Sequence, residues 1–135
     1  MIRNSILLAA LLITLQTVAL QPRLDSLTMD FQREENDSLR MEKANELARE
    51  FFSQGKGDSA LWYVDRALEL AEQLQYKDLA YDFTLSKAQM YARMGNGKMT
   101  FALADSAQKI ADRNQFTVGQ AKVMVFKGDM YARFG

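Results

Sequence analysis

Few residues in this chain have the type and spacing to do chemistry. Two glycine-lysine segments, Gly55-Lys56-Gly57-Asp58-Ser59 and Gly95-Asn96-Gly97-Lys98, contain residues of the kind that cradle phosphate. A phosphate loop, however, follows a strand and places four residues between its first glycine and the Gly-Lys-Ser/Thr group. Neither segment fits, and both read as turns between helices. The carboxylate pairs Asp25/Asp30 and Glu34/Glu35 could supply an acid and a base, yet they lie on a polar N-terminal stretch where no enclosing pocket is expected, and they read as surface charge. Cysteine and histidine are both absent. That absence removes thiolate nucleophiles, imidazole bases, disulfides and the usual zinc ligand sets together. The reading is of a non-enzyme, with no catalytic residue, no cofactor and no metal site.

The charge balance narrows the class further. Seventeen basic and 17 acidic residues cancel to a net charge of +0, so no basic footprint for neutralising phosphates is present and nucleic-acid binding is not expected. With 48% hydrophobic and 25% charged residues over 135 positions, the composition is that of a small folded unit.

The remaining candidates are two arginines in a repeated segment. Met90-Tyr91-Ala92-Arg93-Met94-Gly95 returns as Met130-Tyr131-Ala132-Arg133-Phe134-Gly135, and a shift of 40 also aligns Ala48, Phe51, Gly55, Gly57, Asp65, Ala67 and Ala71 with Ala88, Tyr91, Gly95, Gly97, Asp105, Ala107 and Ala111. Repetition at this period signals stacked supersecondary units that share a core and offer a surface to a partner. Arg93 and Arg133 then form either a ladder facing a partner or helix-terminal cations meeting the carbonyl end of the helix dipole.

The apolar residues Ala44, Leu47, Ala48, Phe51 and then Ala60, Val64, Ala67, Leu68, Ala71 recur at helical spacing, and no strand pattern competes. Gly55 and Gly95 would supply left-handed C-terminal turns. Asp58 or Ser59, Asp78 and Thr117 are the expected caps of the helices that follow the breaks. The alanines let paired helices approach closely. The aromatics Phe51, Tyr91 and Tyr131 are expected in the core, with Phe51→Ala costing roughly 3 to 5 kcal/mol. Trp62 and Tyr63 are adjacent on a helix, so at most one can point fully inward. Leu24, Asp25, Leu27 and Phe31 match Val64, Asp65, Ala67 and Ala71 at the same shift, which predicts a degenerate helix at the start of the array.

Residues 1–19 have the order of a signal peptide: Arg3, an apolar run from Ile6 to Ile13, then Thr17 and Ala19 at the cleavage positions. Cleavage is expected after Ala19, with an uncleaved anchor as the competing reading. The polar Gln21-Pro22-Arg23 should end this segment. Export from a bacterial cytoplasm, to the periplasm or the inner membrane, is the predicted destination.

A small residue, an aromatic three later, a glycine four beyond that, and a second helix with spaced alanines resembles the tetratricopeptide repeat (TPR). The carrying residues are Ala48-Phe51-Gly55-Ala60-Ala67, Ala88-Tyr91-Gly95-Thr100-Ala107 and Gly128-Tyr131-Gly135, over roughly residues 41 to 135. Thr100 stands for an expected alanine, and Lys87 and Lys127 for an expected leucine. The likeness is to the exported N-terminal arrays of bacterial sensor kinases or regulators. It implies an all-α solenoid of about two and a half units of period 40. The division is an N-terminal cap helix or linker at 20–40, repeats at 41–80 and 81–120, and the first helix of an incomplete repeat at 121–135. Because 40 exceeds the usual 34, the second helices are expected to be the longer ones.

The resemblance also implies a groove lined by the first helices, and a protein or peptide partner. Asn45, Arg49, Phe52, Asp82, Gln89, Arg93, Lys122, Asp129 and Arg133 would line it, with Glu42, Leu85 and Val125 beside them. The carboxylate-gripping subclass does not fit, because Ser86 and Phe126 stand where it carries polar or basic groups. The apolar residues of 118–134 spread around nearly the whole helix, which predicts a further covering element, part of a longer protein, or self-association through that helix. A membrane would be met only through an uncleaved leader or a segment downstream. The expected function is a non-catalytic scaffold for a protein or peptide outside the cytoplasm. The alternative is a sensory input region of a membrane-bound histidine kinase or transcription regulator.

Overall fold

The computed structural model describes residues 2–135, with side chains at 2–13 and 22–135. Among these residues there are six α-helices and no strand: α1 Ile2–Arg33, α2 Asp37–Ser53, α3 Gly57–Gln73, α4 Lys77–Arg93, α5 Gly97–Arg113 and α6 Thr117–Phe134. The chain divides into residues 1–34 and 35–135. The first unit is α1, which continues through Pro22 where the sequence suggested a break. No described helix is long and apolar enough to cross a membrane. The expected cleavage positions Thr17 and Ala19 have side chains outside the described set.

The second unit is a succession of helices in which α2 packs most closely on α3 and α4 on α5, with α3–α4 and α5–α6 contacts joining the hairpins. The all-helical repeat architecture expected from the sequence is present. Its division within the period is different, because α2, α3, α4 and α5 are each 17 residues long. The second helices are therefore no longer than the first. Helices start at 37, 57, 77, 97 and 117, so the 40-residue period is two halves of 20.

Every junction is built alike. The residue after α2 donates its N–H back into the helix, and so do the next two, with Gly55 N–H to Phe52 O at 3.0 Å and Lys56 N–H to Phe51 O at 2.9 Å. The same pair recurs as Gln75 to Glu72 and Tyr76 to Ala71, as Gly95 to Ala92 and Asn96 to Tyr91, and as Gln115 to Asp112 and Phe116 to Ala111. These are Schellman closures, which satisfy carbonyls that the helix end leaves open. The next helix starts at once, so Lys56, Tyr76, Asn96 and Phe116 occupy the N-cap positions. Asp58, Ser59, Asp78 and Thr117 are therefore inside their helices and cap nothing. Asp58 and Asp78 instead place a negative charge in the first turn, where the helix dipole favours it. The side-chain caps are Asn36, accepting from Leu39 N–H at 3.0 Å, and Asn96, accepting from Met99 N–H at 3.1 Å.

Small residues occupy the contact planes. Ala44, Ala48, Ala60, Ala67, Ala88, Ala104 and Ala107 are fully buried, as are Leu47 and Val64. Thr100 is buried in the alanine position and loses nothing by its hydroxyl, which donates to Asn96 O at 2.8 Å. Burying a hydroxyl without such a partner would cost on the order of 1 to 3 kcal/mol. Tyr81, Leu85, Ala104, Ala107, Ala111 and Val123 form a continuous cluster under α5 and α6.

Candidate partner-binding groove

The first helices of successive hairpins, α2, α4 and α6, carry the predicted groove residues. Arg49, Asp82, Gln89, Arg93, Lys122, Asp129 and Arg133 are exposed, and Asn45 and Phe52 are half-buried. Glu42 and Val125 are exposed as well, whereas Leu85 is buried in the core cluster and unavailable to a partner.

Two pairs of these residues are brought together across neighbouring first helices. The Arg93 guanidinium of α4 lies 5.7 Å from the centroid of the Phe52 ring on α2. This cation–π contact, worth about 0.5 to 1 kcal/mol at an exposed site, holds Arg93 against the preceding first helix. On the other flank, Lys122 of α6 is close enough to Asp82 of α4 to favour its charged form. Desolvation is nevertheless the larger effect, and with Asp78 as a like-charge neighbour it raises the Asp82 carboxyl above its ordinary value. Asp82 is thus an exposed residue with a partly dehydrated carboxylate.

Arg133 differs from Arg93. Its guanidinium sits 5.3 Å from the ring of its own neighbour Phe134, within one helix. Both arginines also occupy the last turn of their helices, where the dipole favours a cation. Both side chains therefore fit the helix-terminal reading.

The position of α6 against α4 is set by one close contact. Tyr81 Oη donates to Gly119 O at 2.7 Å, and a Cβ at Gly119 would lie 3.1 Å from Tyr81 Cζ. Burial, with the Asp82 charge adding, raises the Tyr81 phenol and keeps it a donor. Lys122 reaches the neighbourhood of Asp82 because Gly119, one turn earlier, lets the helices approach.

The repeated aromatics are less buried than expected. Phe51 and Tyr91 are half-buried and Tyr131 is 60% exposed. Phe51 stacks on Tyr63 with centroids 5.3 Å apart and planes 7° apart, and Tyr131 tilts over Phe101 at 4.7 Å. Phe51 thus packs within its own hairpin and Tyr131 against the preceding second helix, both at partly open positions instead of in the core. Of the adjacent pair, Tyr63 is the inward partner, and Trp62 is 51% exposed with Arg66 over its ring at 5.5 Å.

Sequence reasoning missed what Lys87 and Lys127 do. Lys87 Nζ on α4 donates to Asp65 Oδ1 on α3 at 2.5 Å, and Lys127 Nζ on α6 donates to Asp105 Oδ1 on α5 at 2.7 Å. The two departures from leucine are thus one device used twice, an ion pair joining each hairpin to the next first helix. The bond to Asp105 holds the Lys127 ammonium above its ordinary value against a smaller desolvation effect. The signal was available, since the shift of 40 that aligns Asp65 with Asp105 also aligns Lys87 with Lys127. Among the described residues, no three His, Cys, Asp or Glu side chains converge in a metal-binding group.

Paired helices at a fixed repeat, small-residue contact planes and Schellman turns are the features that a family comparison can decide. The model of the SusR N-terminal TPR domain matches residues 19–118. The chain belongs to this TPR family. No curated protein matches it. TPR domains of this kind are protein–protein interaction scaffolds, and the repeat architecture described above serves that role.

Proposed function

We propose that this TPR protein acts outside the cytoplasm as a non-catalytic scaffold, holding a protein or peptide segment along the exposed face of α2, α4 and α6. The observation that carries the reading is the pair of cross-helix contacts, Arg93 on Phe52 and Asp82 near Lys122, on that face. Together they present both charges and an aromatic edge. Asn45, Arg49, Gln89, Asp129 and Arg133 extend the surface along the same helices. Such a mixture suits an extended segment with its own polar groups better than a purely apolar helix. The positively charged start and apolar run of residues 1–19 support export, to the periplasm or the face of the inner membrane.

The test is capture of partners from a periplasmic extract by wild type and by the Arg93→Ala/Arg133→Ala variant. Both arginines are exposed, so helix content by circular dichroism should be unchanged. A partner retained equally by both proteins would defeat the groove assignment.

A second reading is favoured by the family description, which places this type of domain at the N-terminus of SusR. On that reading the array is a sensory input region, and partner binding is passed to a kinase or regulator module. It requires the groove variant to alter a transcriptional or phosphorylation output in cells, beyond weakening capture. Self-association through the exposed face of α6 belongs to either reading, because that face is apolar.

A further inference from the structure

We propose that the cleft where α3, α4 and α5 meet binds a small zwitterion with an apolar body, an amino acid or a short peptide. The cleft has a volume of about 450 Å³, within the roughly 300 to 1,000 Å³ of small-molecule sites. Its floor is apolar: Ala71 of α3 and Ala80 of α4 are buried, and Ile110 of α5 is half-buried. Its rim is charged, with Glu72 in the last turn of α3, Lys77 at the start of α4 and Arg113 at the end of α5, all exposed. Among the described residues no side chain pairs with that of Glu72, Lys77 or Arg113, whereas Arg66, Lys87 and Lys127 are each held by a carboxylate. None of the proposed groove residues lines this cleft, so the site adds to the partner surface and does not repeat it.

The next junction shows how the same carboxylate position is satisfied within the chain. A shift of 40 puts Asp112 in the place of Glu72, Gln120 in that of Ala80 and Gln108 in that of Leu68. There Asp112 Oδ1 accepts from Gln108 Nε2 and from Gln120 Nε2, both at 2.9 Å. Ala80 and Leu68 have no such donors, so the Glu72 carboxylate is left to a ligand. Helix ends add to the charge pattern. The open N–H groups at the start of α4 favour a carboxylate beside Lys77, and the carbonyl end of α3 favours an ammonium beside Glu72. Asp78, in the same turn as Lys77, acts on Asp82 instead. Arg113 supplies a second, forked donor set for the carboxylate. Asn114 Nδ2 donates to Ile110 O at 2.8 Å, which leaves its Oδ1 as an acceptor for a ligand N–H. A simple anion would meet repulsion from Glu72, and a simple cation would meet it from Lys77 and Arg113. A molecule carrying both charges satisfies the whole rim, and its apolar body covers Ala71, Ala80 and Ile110.

Amide NMR of the isotope-labelled full chain, titrated with leucylalanine and with leucine, tests the site. For ligands of this size in an open cleft the dissociation constant should be on the order of 1 mM. The amides of Ala71, Gln75, Ala80 and Ile110 should shift saturably, while those of Gln89 and Arg93 on the groove face stay in place. Ala80→Gln copies the closed junction and should weaken binding at least tenfold. Glu72→Gln should weaken it several-fold and make leucylalanine and its N-acetyl form bind equally, whereas the wild type prefers the free amine. Leucylalanine amide, which lacks the carboxylate, should lose about tenfold through Lys77 and Arg113. Circular dichroism checks that Ala80→Gln keeps its helices; Glu72 is exposed, so its variant decides the matter if Ala80→Gln does not fold. Tighter binding of the dipeptide identifies a peptide source and tighter binding of leucine a free amino acid, and either upholds the zwitterion. The proposal is overturned by the absence of saturable shifts at millimolar ligand, by N-acetyl or amide forms that bind the wild type as tightly as leucylalanine, or by binding that neither variant weakens.

Discussion

Removing the ion pair between hairpins separates its value from that of the alanine planes beside it. Lys87 has a side chain only 17% exposed, whereas that of Asp65 is 40% exposed. An exposed pair is worth about 0.2 to 1 kcal/mol, and breaking a buried one costs about 3 to 5. Partial burial on the lysine side sets the coupling for Lys87–Asp65 at about 1 to 1.5 kcal/mol. Lys127 and Asp105 are more open, at 26% and 57%, so their coupling should be about 0.5 to 1 kcal/mol. For a unit of this size, 1 kcal/mol moves the melting temperature by about 4 to 8 °C.

The burial difference also orders the single variants. Asp65→Asn leaves a mostly buried ammonium without its counter-charge, and Lys87→Met leaves a carboxylate that water can reach. The first should therefore destabilise more, and the double variant should regain most of the loss. Urea unfolding followed by circular dichroism, at 0.1 M and 1 M salt, gives the double-mutant cycle, with coupling reduced at high salt. Coupling within error of zero, or a larger value for Lys127–Asp105, would refute the assignment of burial as the deciding factor.

The same reasoning extends to other sites. Phe51→Ala should cost about 1 to 2 kcal/mol, below the 3 to 5 expected for a core ring, because Phe51 is half-buried on Tyr63, while Leu47→Ala at a fully buried site should cost about 2 to 5; equal losses in urea unfolding would contradict the observed burial. The Asp82 carboxyl is raised in the folded state, so the fold binds its proton more tightly than the unfolded chain does, and stability falls as pH rises from 3.8 through the folded-state value. Asp82→Asn should then stabilise at neutral pH, by under about 1 kcal/mol after solvent screening, with the gain gone in acid; a loss at neutral pH would make Lys122 the dominant neighbour. The Lys127 ammonium is raised, so its contribution is complete below 10.5 and lost above it, and Lys127→Met should flatten the alkaline end of the stability profile. Gln115→Gly should stabilise or be neutral, within about 1 kcal/mol, whereas Gly95→Gln should cost about 1 to 2, both read from thermal melts.

The helical repeat was legible because it rests on short-range rules: period-3.6 apolar residues, alanine at close contacts, glycine at turns. What was not legible depends on register and on partners distant in sequence. Asp78 and Thr117 have the chemistry of caps, yet the Schellman closure uses the residue before each helix as both turn end and N-cap, leaving no room for another capping position. Leu85 has groove spacing by analogy but faces α5 and α6, since the angle of each helix is set by contacts such as Tyr81 with Gly119. Lys87 looked like a flaw in the pattern until Asp65 was placed opposite it. Of the groove, the residue types and the helices carrying them could be read, and the Arg93–Phe52 contact could not, because it joins side chains 41 positions apart.

The alternation of turn residues shows how the chain meets the same backbone demand with different chemistry. All four junctions need a left-handed residue, and they are filled as Gly55, Gln75, Gly95 and Gln115. The φ values are 75° and 79° at the glycines, but 59° and 57° at the glutamines. A residue with a Cβ is tolerated in the left-handed region only to about 70°, so the within-hairpin turns are beyond its range and the between-hairpin turns are inside it. The period is therefore 40 in sequence although it is 20 in backbone. The alanine planes lie between the most closely packed helices, α2 with α3 and α4 with α5, and across the between-hairpin junctions Lys87 and Lys127 reach back to Asp65 and Asp105. Each hairpin is thereby joined to the next first helix by a turn that glutamine can make, and locked to it by an ion pair in place of apolar bulk.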